Sequence, residues 1–212
     1  MRKIVITLAA WAAAAALGGC AAPTNLRNAE NYAQAGYAAR DKGDWPAARM
    51  FFSRALVNAE LADSRQGRAQ ISYEYGRVLG VMCDYDEAEK NLLRSLEFGE
   101  KQGAAPMLSL LELGLLNETR GRAEPAEHYY AELIPVMERE GAEKRFPLGV
   151  ADTFEHHAHV LAALGRQGEA EAEEARARKI RAAHPEAQPF GRLTPYGTQC
   201  AAGGKPESAA TP

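Results

Sequence analysis

The chain has 212 residues, a formal net charge of −3 and 46% hydrophobic residues. It lacks the excess of Lys and Arg that a nucleic-acid-binding surface requires, so a nucleic-acid partner is not expected. The hydrophobic fraction is ordinary for a packed protein, and the length suits one elongated domain.

The first segment has the character of an export signal. A basic start, Met1–Lys3, precedes Ile4–Leu17, an alanine-rich apolar run of 14 residues that is too short to span a bilayer. The run ends in Leu17-Gly18-Gly19-Cys20, which resembles the lipobox of bacterial lipoproteins. Two other interpretations stay open: an ordinary signal peptide with a chance cysteine, or a buried hydrophobic helix.

The lipobox resemblance implies removal of residues 1–19 and a thioether-linked diacylglycerol on Cys20, with further acyl chains such as palmitate. Two or three acyl chains give lasting membrane anchorage where one does not. In the enteric-type sorting rule, Asp after the lipid-bearing cysteine favours the inner membrane, and here Ala21 follows. We therefore expect a lipid anchor on the periplasmic face of the outer membrane, with residues 20–26 as a tether. The remaining chain has 23 basic and 28 acidic residues, a net charge near −5.

Helix signals follow one another along the rest of the chain. Gly43 is suited to ending a helix, because glycine tolerates the left-handed backbone of a C-cap. Asp44 then caps the next helix, which has Pro46 in its first turn. Pro135 falls inside the sixth predicted helix, where a kink is expected. The predicted helices span about 27–41, 45–61, 65–81, 85–101, 105–119, 123–139, 147–163 and 167–183.

One spacing of small residues recurs along the chain. In the first copy Gly36, Gly43, Ala48 and Ala55 are separated by steps of 7, 5 and 7 residues, and later copies follow at intervals of 40, 38 and 44 residues. Small residues at these places permit two antiparallel helices to approach closely. The later copies are Gly76, Cys83, Ala88 and Ser95; Gly114, Gly121, Ala126 and Leu133; and Ala158, Gly165, Ala170 and Ala177.

This pattern resembles the tetratricopeptide repeat (TPR) family, whose unit of about 34 residues is a helix, a turn and a helix. The resemblance implies an all-α fold, a short right-handed superhelical solenoid of about four helical hairpins. The repeat domain is expected over residues 27–184, with units at about 29–62, 69–102, 107–140 and 151–184.

In this family the first helix of each pair lines a concave groove, so the resemblance also assigns candidate groove residues. Tyrosine, arginine and leucine there suit a protein or peptide ligand, since aromatic and guanidinium groups carry much of the energy of interfaces. The alternative is that these side chains face solvent or the chain's own tail. The candidate groove residues are Tyr37, Arg40, Tyr73, Arg77, Leu108, Leu111, Leu115, Glu118, Glu155 and His159.

Three cysteines leave one possible intramolecular pair once Cys20 carries lipid. Cys83 stands at a turn position where the other copies have glycine, and Cys200 lies in the C-terminal tail. The stretch from Pro185 to Cys200 spans up to about 50 Å when extended, enough to reach back past two repeats. A Cys83–Cys200 disulfide is therefore a candidate in an oxidising compartment. The alternative is a buried Cys83 and a free thiol in the tail.

A cluster of three histidines, His156, His157 and His159, has a metal-like pattern. His156 and His159 share a helix face, whereas His157 is expected to pack inside. Two histidines on one turn without nearby Cys or an HExxH pattern are a weak signal, so no metal or other cofactor is expected. The sequence has no GxSxG motif, phosphate-binding glycine loop or paired catalytic carboxylates, and we expect no enzymatic activity.

Residues 185–212, rich in Pro, Gly and Ala, are expected to be largely irregular, although residues 189–196 carry spaced apolar side chains able to dock on the helices.

Taken together, these features predict a non-catalytic outer-membrane lipoprotein that binds an unidentified envelope protein or peptide as an adaptor or assembly factor. The alternatives are a pilotin-like factor for pilus or secretion machinery, a self-associating structural lipoprotein, and a metal-binding or enzyme-associated protein.

Overall fold

Helices make up all the regular structure in the residues that the computed structural model describes, which are 21–101, 106–189 and 193–200. The predicted all-α fold is therefore confirmed. The chain divides into two compact units, the first ending at Tyr75 and the second beginning at Gly76. The predicted signal sequence, residues 1–19, and Cys20 lie outside the described residues. The helices are α1 (Ala21–Asp41), α2 (Trp45–Leu61), α3 (Arg65–Val81), α4 (Tyr85–Glu100), α5 (Met107–Thr119), α6 (Ala123–Arg139), α7 (Ala142–Arg145), α8 (Pro147–Ala163) and α9 (Gln167–Ala183).

The predicted helices are present with closely similar bounds, and the differences lie at two places. First, α1 begins at Ala21, so the described residues that were expected to form a tether are helical instead. Pro23 is compatible with this start, because the N–H groups of a first turn have no intrahelical partner. Second, the short helix α7 forms where a loop was expected. Helix α6 continues through Pro135, and the kink there stays a prediction.

The turn inside each hairpin has the same backbone geometry. Its central residue has a positive φ, +75° at Gly43, +67° at Cys83, +69° at Gly121 and +75° at Gly165. The next residue donates its N–H to the carbonyl oxygen five positions earlier, at 2.9 Å in each turn. This is the Schellman arrangement, which satisfies carbonyl groups at the end of the first helix. The fold is thus a series of similar helical hairpins.

In the first unit α1 and α2 pack as a hairpin. The ring of Phe52 lies against the backbone of Gly36, where an added Cβ would come within 2.8 Å of Phe52 Cε1. Phe52, Ala48 and Ala55 are completely buried. Small residues of the sequence repeat therefore set how closely these helices approach.

Helix α5 is central to the second unit and packs against α4, α6 and α8. Its buried residues include nearly every position from Ser109 to Asn117, as expected for a helix that is apolar on all sides. Tyr130 of α6 is completely buried, and its ring lies against Gly114 of α5. Among the described residues, no helix combines the length and apolar composition needed to cross a bilayer.

Replacing Gly114 with Ala is expected to destabilise the protein by about 1–3 kcal/mol, the usual cost of overpacking a core. A Cβ there would lie 2.7 Å from Tyr130 Cε1, and the buried ring has no room to withdraw. Gly168 of α9 is the matched control, because a Cβ at Gly168 meets no atom within 4 Å. Gly168→Ala should leave stability unchanged or raise it by up to about 1 kcal/mol. Urea unfolding followed by circular dichroism measures both, and equal stabilities would contradict this account of the packing.

Candidate functional site

The C-terminal tail segment, residues 193–200, is held on the second unit by a disulfide. Cys83, in the turn between α3 and α4, is bonded to Cys200 with a Cα–Cα distance of 5.1 Å. The backbone of Cys83 has φ +67°, in the left-handed region that glycine occupies in the other hairpin turns. This conformation costs a residue with a Cβ about 1–2 kcal/mol. The stability that the disulfide with Cys200 contributes offsets this cost.

Four polar side chains, which we call the tail lock, hold the segment in place: Arg77, Glu112, Thr194 and Tyr196. Glu112 of α5 accepts hydrogen bonds from Thr194 Oγ1 at 2.9 Å and from Tyr196 OH at 2.8 Å. Arg77 of α3 donates from Nε to Thr194 Oγ1 at 2.8 Å, and the same Nε is 3.0 Å from Glu112 Oε1. Glu112, Thr194 and Tyr196 are each at most 9% exposed. Hydrogen bonds to a charged group are strong where little water competes for it.

Main-chain contacts complete the attachment of the tail segment. The ring of Tyr196 covers Gly80 so closely that a Cβ at Gly80 has no space. Gly197 donates its N–H to the Gly80 carbonyl oxygen at 3.2 Å, and Gln199 donates to the Val81 carbonyl oxygen at 3.0 Å. Main-chain hydrogen bonds combined with side-chain pockets are a common mode of peptide recognition. The second unit therefore binds a peptide segment of its own chain.

The tail segment changes the interpretation of the predicted groove residues in the second unit. Arg77 belongs to the tail lock, and Leu115 is only 6% exposed, so the prediction that Leu115 lines an accessible groove is wrong. The reason is that α5 is covered on nearly every side, as described above. Leu111 is half-buried against the core. Leu108 remains 55% exposed and lies one helical turn before Glu112, on the same face of α5.

The groove residues of the first unit, Tyr37, Arg40 and Tyr73, are all half-buried. Arg40 pairs with Glu74 at 2.7 Å and lies over the Tyr37 ring, 5.2 Å from its centroid. Tyr37 OH accepts a hydrogen bond from Gln70 Nε2 at 3.0 Å. Of the predicted groove residues, Tyr37 and Arg40 are therefore in contact in the first unit.

Glu118 of α5 lies close to His156 and His159 of α8. Glu118 and His159 are candidate groove residues, and His156 belongs to the histidine cluster of the sequence. His156 Nδ1 lies 2.9 Å from Glu118 Oε2, and His159 Nδ1 lies 3.8 Å from Glu118 Oε1. Burial lowers the pKa of His156, but the hydrogen bond and charge of Glu118, together with the charges of Asp152 and Glu155, raise this pKa above its ordinary value. Tyr130 OH donates a hydrogen bond to Glu118 Oε2 at 2.9 Å. Sequence reasoning did not connect Glu118 and Tyr130 with the histidines of α8, and the structure places them in one cluster.

Arg181 of α9 pairs with two carboxylates of α8 beside this cluster. Arg181 Nη2 lies 2.8 Å from Glu155 Oε2 and 2.6 Å from Asp152 Oδ1, so the predicted groove residue Glu155 is engaged in an ion pair. His157 is 7% exposed, and its ring centroid is 6.0 Å from that of Tyr130. Burial lowers the pKa of His157, which favours the neutral ring.

Sequence reasoning did not assign Glu112, Thr194 or Tyr196 to a site. A signal for Glu112 was present, because this carboxylate stands in an otherwise apolar run of leucines on α5. A charge in such a place is expected to have a buried partner. The apolar spacing of residues 189–196 indicated docking on the helices, but nothing in the sequence indicated Glu112 as the partner of Thr194 and Tyr196, since it lies more than 80 positions away in the chain.

No protein-family model matches the chain, and no curated protein matches it. Among solved structures, BtubC (BKLC) from P. vanneervenii is similar with a TM-score of 0.71 and 19% identity, over 78% of this chain and 67% of that chain. The MamA protein is similar with a TM-score of 0.46 and 15% identity, over 78% of this chain and 98% of that chain. The likeness to BtubC extends to the helical fold alone.

Proposed function

We propose that this chain is a non-catalytic, TPR-type adaptor or assembly factor that binds an envelope protein or peptide. A lipid on Cys20 would anchor it to the periplasmic face of the outer membrane. The observation that carries the proposal is the bound tail segment: helical hairpins of the second unit hold a stretch of polypeptide through main-chain hydrogen bonds and buried side chains. A surface that binds one peptide segment in this way has the chemistry to bind another.

The part of α5 beyond the tail lock supplies the surface for a partner. Leu108 is 55% exposed on the same face of α5 as Glu112. An exposed leucine beside a bound peptide segment suits a ligand that combines apolar anchors with main-chain contacts. We therefore place the partner contact at Leu108 rather than at Arg77 or Leu115.

The compartment is supported by two independent features. The lipobox-like Leu17-Gly18-Gly19-Cys20 favours export and lipid attachment. The Cys83–Cys200 disulfide suits an oxidising environment such as the bacterial periplasm, because cytosolic thiols are kept reduced.

Photo-crosslinking in intact cells tests the adaptor function. A photo-reactive residue at Leu108 should give a reproducible adduct with one envelope protein, identified by mass spectrometry. Leu93 of α4 is the matched control, because it is also an exposed leucine, at 41%, but lies on the second helix of its hairpin. An adduct with a second copy of this chain would favour the self-associating alternative, and an adduct with a pilus or secretion component would favour the pilotin-like one. Equal adducts at Leu108 and Leu93, or none, would contradict the proposed surface.

Lipid labelling tests the anchor separately. Cells grown with a clickable palmitate analogue should label the wild-type protein, which should sediment with outer membranes. Cys20→Ala should lose both the label and the membrane association, because the proposed lipid-bearing thiol is removed. A Cys20→Ala protein that stays labelled and membrane-bound would overturn the lipoprotein assignment while leaving the adaptor test unaffected.

A further inference from the structure

The cluster between α5 and α8 has a composition and geometry that an adaptor surface does not require. It consists of Glu118 from α5 together with His156 and His159 from α8, and one ligand atom from each lies within 4.8 Å of the other two. We propose that Glu118, His156 and His159 form a binding site for one divalent transition-metal ion of the Zn²⁺ class. The inference is independent of the adaptor function.

The ligand set matches known preferences of such ions. Two imidazoles and one carboxylate are a three-residue Zn²⁺ set, which leaves one coordination position open for water or a ligand. Imidazole also suits Cu²⁺ and Ni²⁺, whereas Ca²⁺ and Mg²⁺ prefer sites made wholly of oxygen atoms. The chemistry of the side chains therefore selects the transition-metal class.

The distances require only a small movement for binding. Metal–ligand bonds of about 2.0–2.1 Å in a tetrahedron place the ligand atoms about 3.3 Å from one another. His156 Nδ1 lies 2.9 Å from Glu118 Oε2 and His159 Nδ1 lies 3.8 Å from Glu118 Oε1, so a rotation of the carboxylate or of His159 brings three ligand atoms toward that separation. The side chain of His159 is 69% exposed, so it is able to turn toward a metal without disturbing the core.

Neighbouring residues orient the side chains of the cluster, as the residues that contact metal ligands do in known metal sites. Tyr130 is completely buried, and its hydroxyl donates to Glu118 Oε2 at 2.9 Å, which fixes the carboxylate. Arg181 engages Glu155 and Asp152, the two carboxylates nearest in sequence to His156 on α8, and so keeps them from competing as ligands.

Both imidazoles lie within ion-pair distance of one carboxylate, so each pair is also an ion pair when its imidazole is protonated. A divalent cation bound by the two neutral imidazoles would satisfy the same carboxylate with one ion in place of the protons. Zn²⁺ titration distinguishes the two arrangements.

Titration of the purified full-length protein with ZnCl₂ tests the site. The protein is prepared in detergent under non-reducing conditions, stripped with EDTA, and treated with an alkylating agent so that no free thiol binds metal. Isothermal calorimetry should show saturable binding with a stoichiometry of one. Titration with Co²⁺ should give the visible absorption of a four-coordinate ion with nitrogen and oxygen ligands.

Single substitutions locate the bound ion. His156→Ala and His159→Ala should each weaken Zn²⁺ binding by at least about 10-fold, and Tyr130→Phe should weaken it by about 10-fold through the carboxylate that it orients. His128→Ala is the matched control, because His128 forms an exposed pair with Glu132 at 3.3 Å that belongs to no three-ligand group among the described residues. His128→Ala should bind as the wild type does.

His159→Ala keeps the test independent of folding, because that side chain is exposed and its loss leaves the core intact. Circular dichroism of each variant checks this. The proposal is overturned if the wild type takes up no Zn²⁺ in a saturable manner. It is equally overturned if folded His159→Ala and His128→Ala bind with the same affinity as the wild type.

Discussion

Removing the Cys83–Cys200 disulfide is expected to lower the free energy of unfolding by about 2–5 kcal/mol. The bond joins residues that are 117 positions apart, so it closes a loop that includes most of the second unit. A cross-link across a long loop stabilises chiefly by reducing the conformational freedom of the unfolded chain. Cys200→Ser removes the bond without changing the turn at Cys83, and urea unfolding under non-reducing conditions measures the loss.

Substitutions at Cys83 separate the contribution of the disulfide to stability from that of the turn conformation. Because Cys83 has φ +67°, Cys83→Gly should be more stable than Cys83→Ala, by about 1–2 kcal/mol. Both variants lack the disulfide, so the difference between them reports the backbone alone. Cys200→Ser and wild type with equal unfolding midpoints would contradict the stabilising role of the bond. Equal stabilities of Cys83→Gly and Cys83→Ala would contradict the left-handed turn.

Replacing Glu112 with Ala is expected to cost about 3–5 kcal/mol, as when one member of a buried ion pair is removed. The carboxylate is 5% exposed and accepts hydrogen bonds from Thr194 and Tyr196 besides its pairing with Arg77. Its loss leaves the buried hydroxyls of Thr194 and Tyr196 without this acceptor and removes the charge that pairs with Arg77, at a site that water reaches poorly. Thermal and urea unfolding measure the change.

Two further variants test whether the effect of Glu112→Ala comes from the tail lock. Glu87, which pairs with Lys90 on an exposed surface of α4, is the control, and Glu87→Ala should leave the unfolding midpoint nearly unchanged. Tyr196→Phe removes only one of the hydrogen bonds to Glu112 and should cost about 1–1.5 kcal/mol. In the double variant the two costs should not add, because the bond that Tyr196→Phe removes is already absent in Glu112→Ala. Additive costs, or a Glu112→Ala protein as stable as Glu87→Ala, would contradict the tail lock.

Much of the fold follows from short-range patterns in the sequence. Gly43, Gly121 and Gly165 end helices because their turns need a positive φ, and the bounds of most helices follow from those positions. The contact of Gly36 with Phe52 is likewise a consequence of repeat spacing, since a fixed offset along two antiparallel helices brings the same positions together. The start of α1 and the short helix α7 were not predicted, because neither carries a strong cap signal.

The sequence by itself determined the all-α hairpin repeat and the exceptional turn position of Cys83, and it made Cys200 a candidate partner for the Cys83 thiol. Only the tertiary structure decided that Leu115 is core, that Glu112 holds the tail segment, and that Glu118 meets His156 and His159. The physical reason is the range of the interactions. Helix caps and turns depend on residues within about five positions of one another. Glu112 and Thr194 are 82 positions apart, and Glu118 and His156 are 38 apart, so their meeting depends on how whole helices pack.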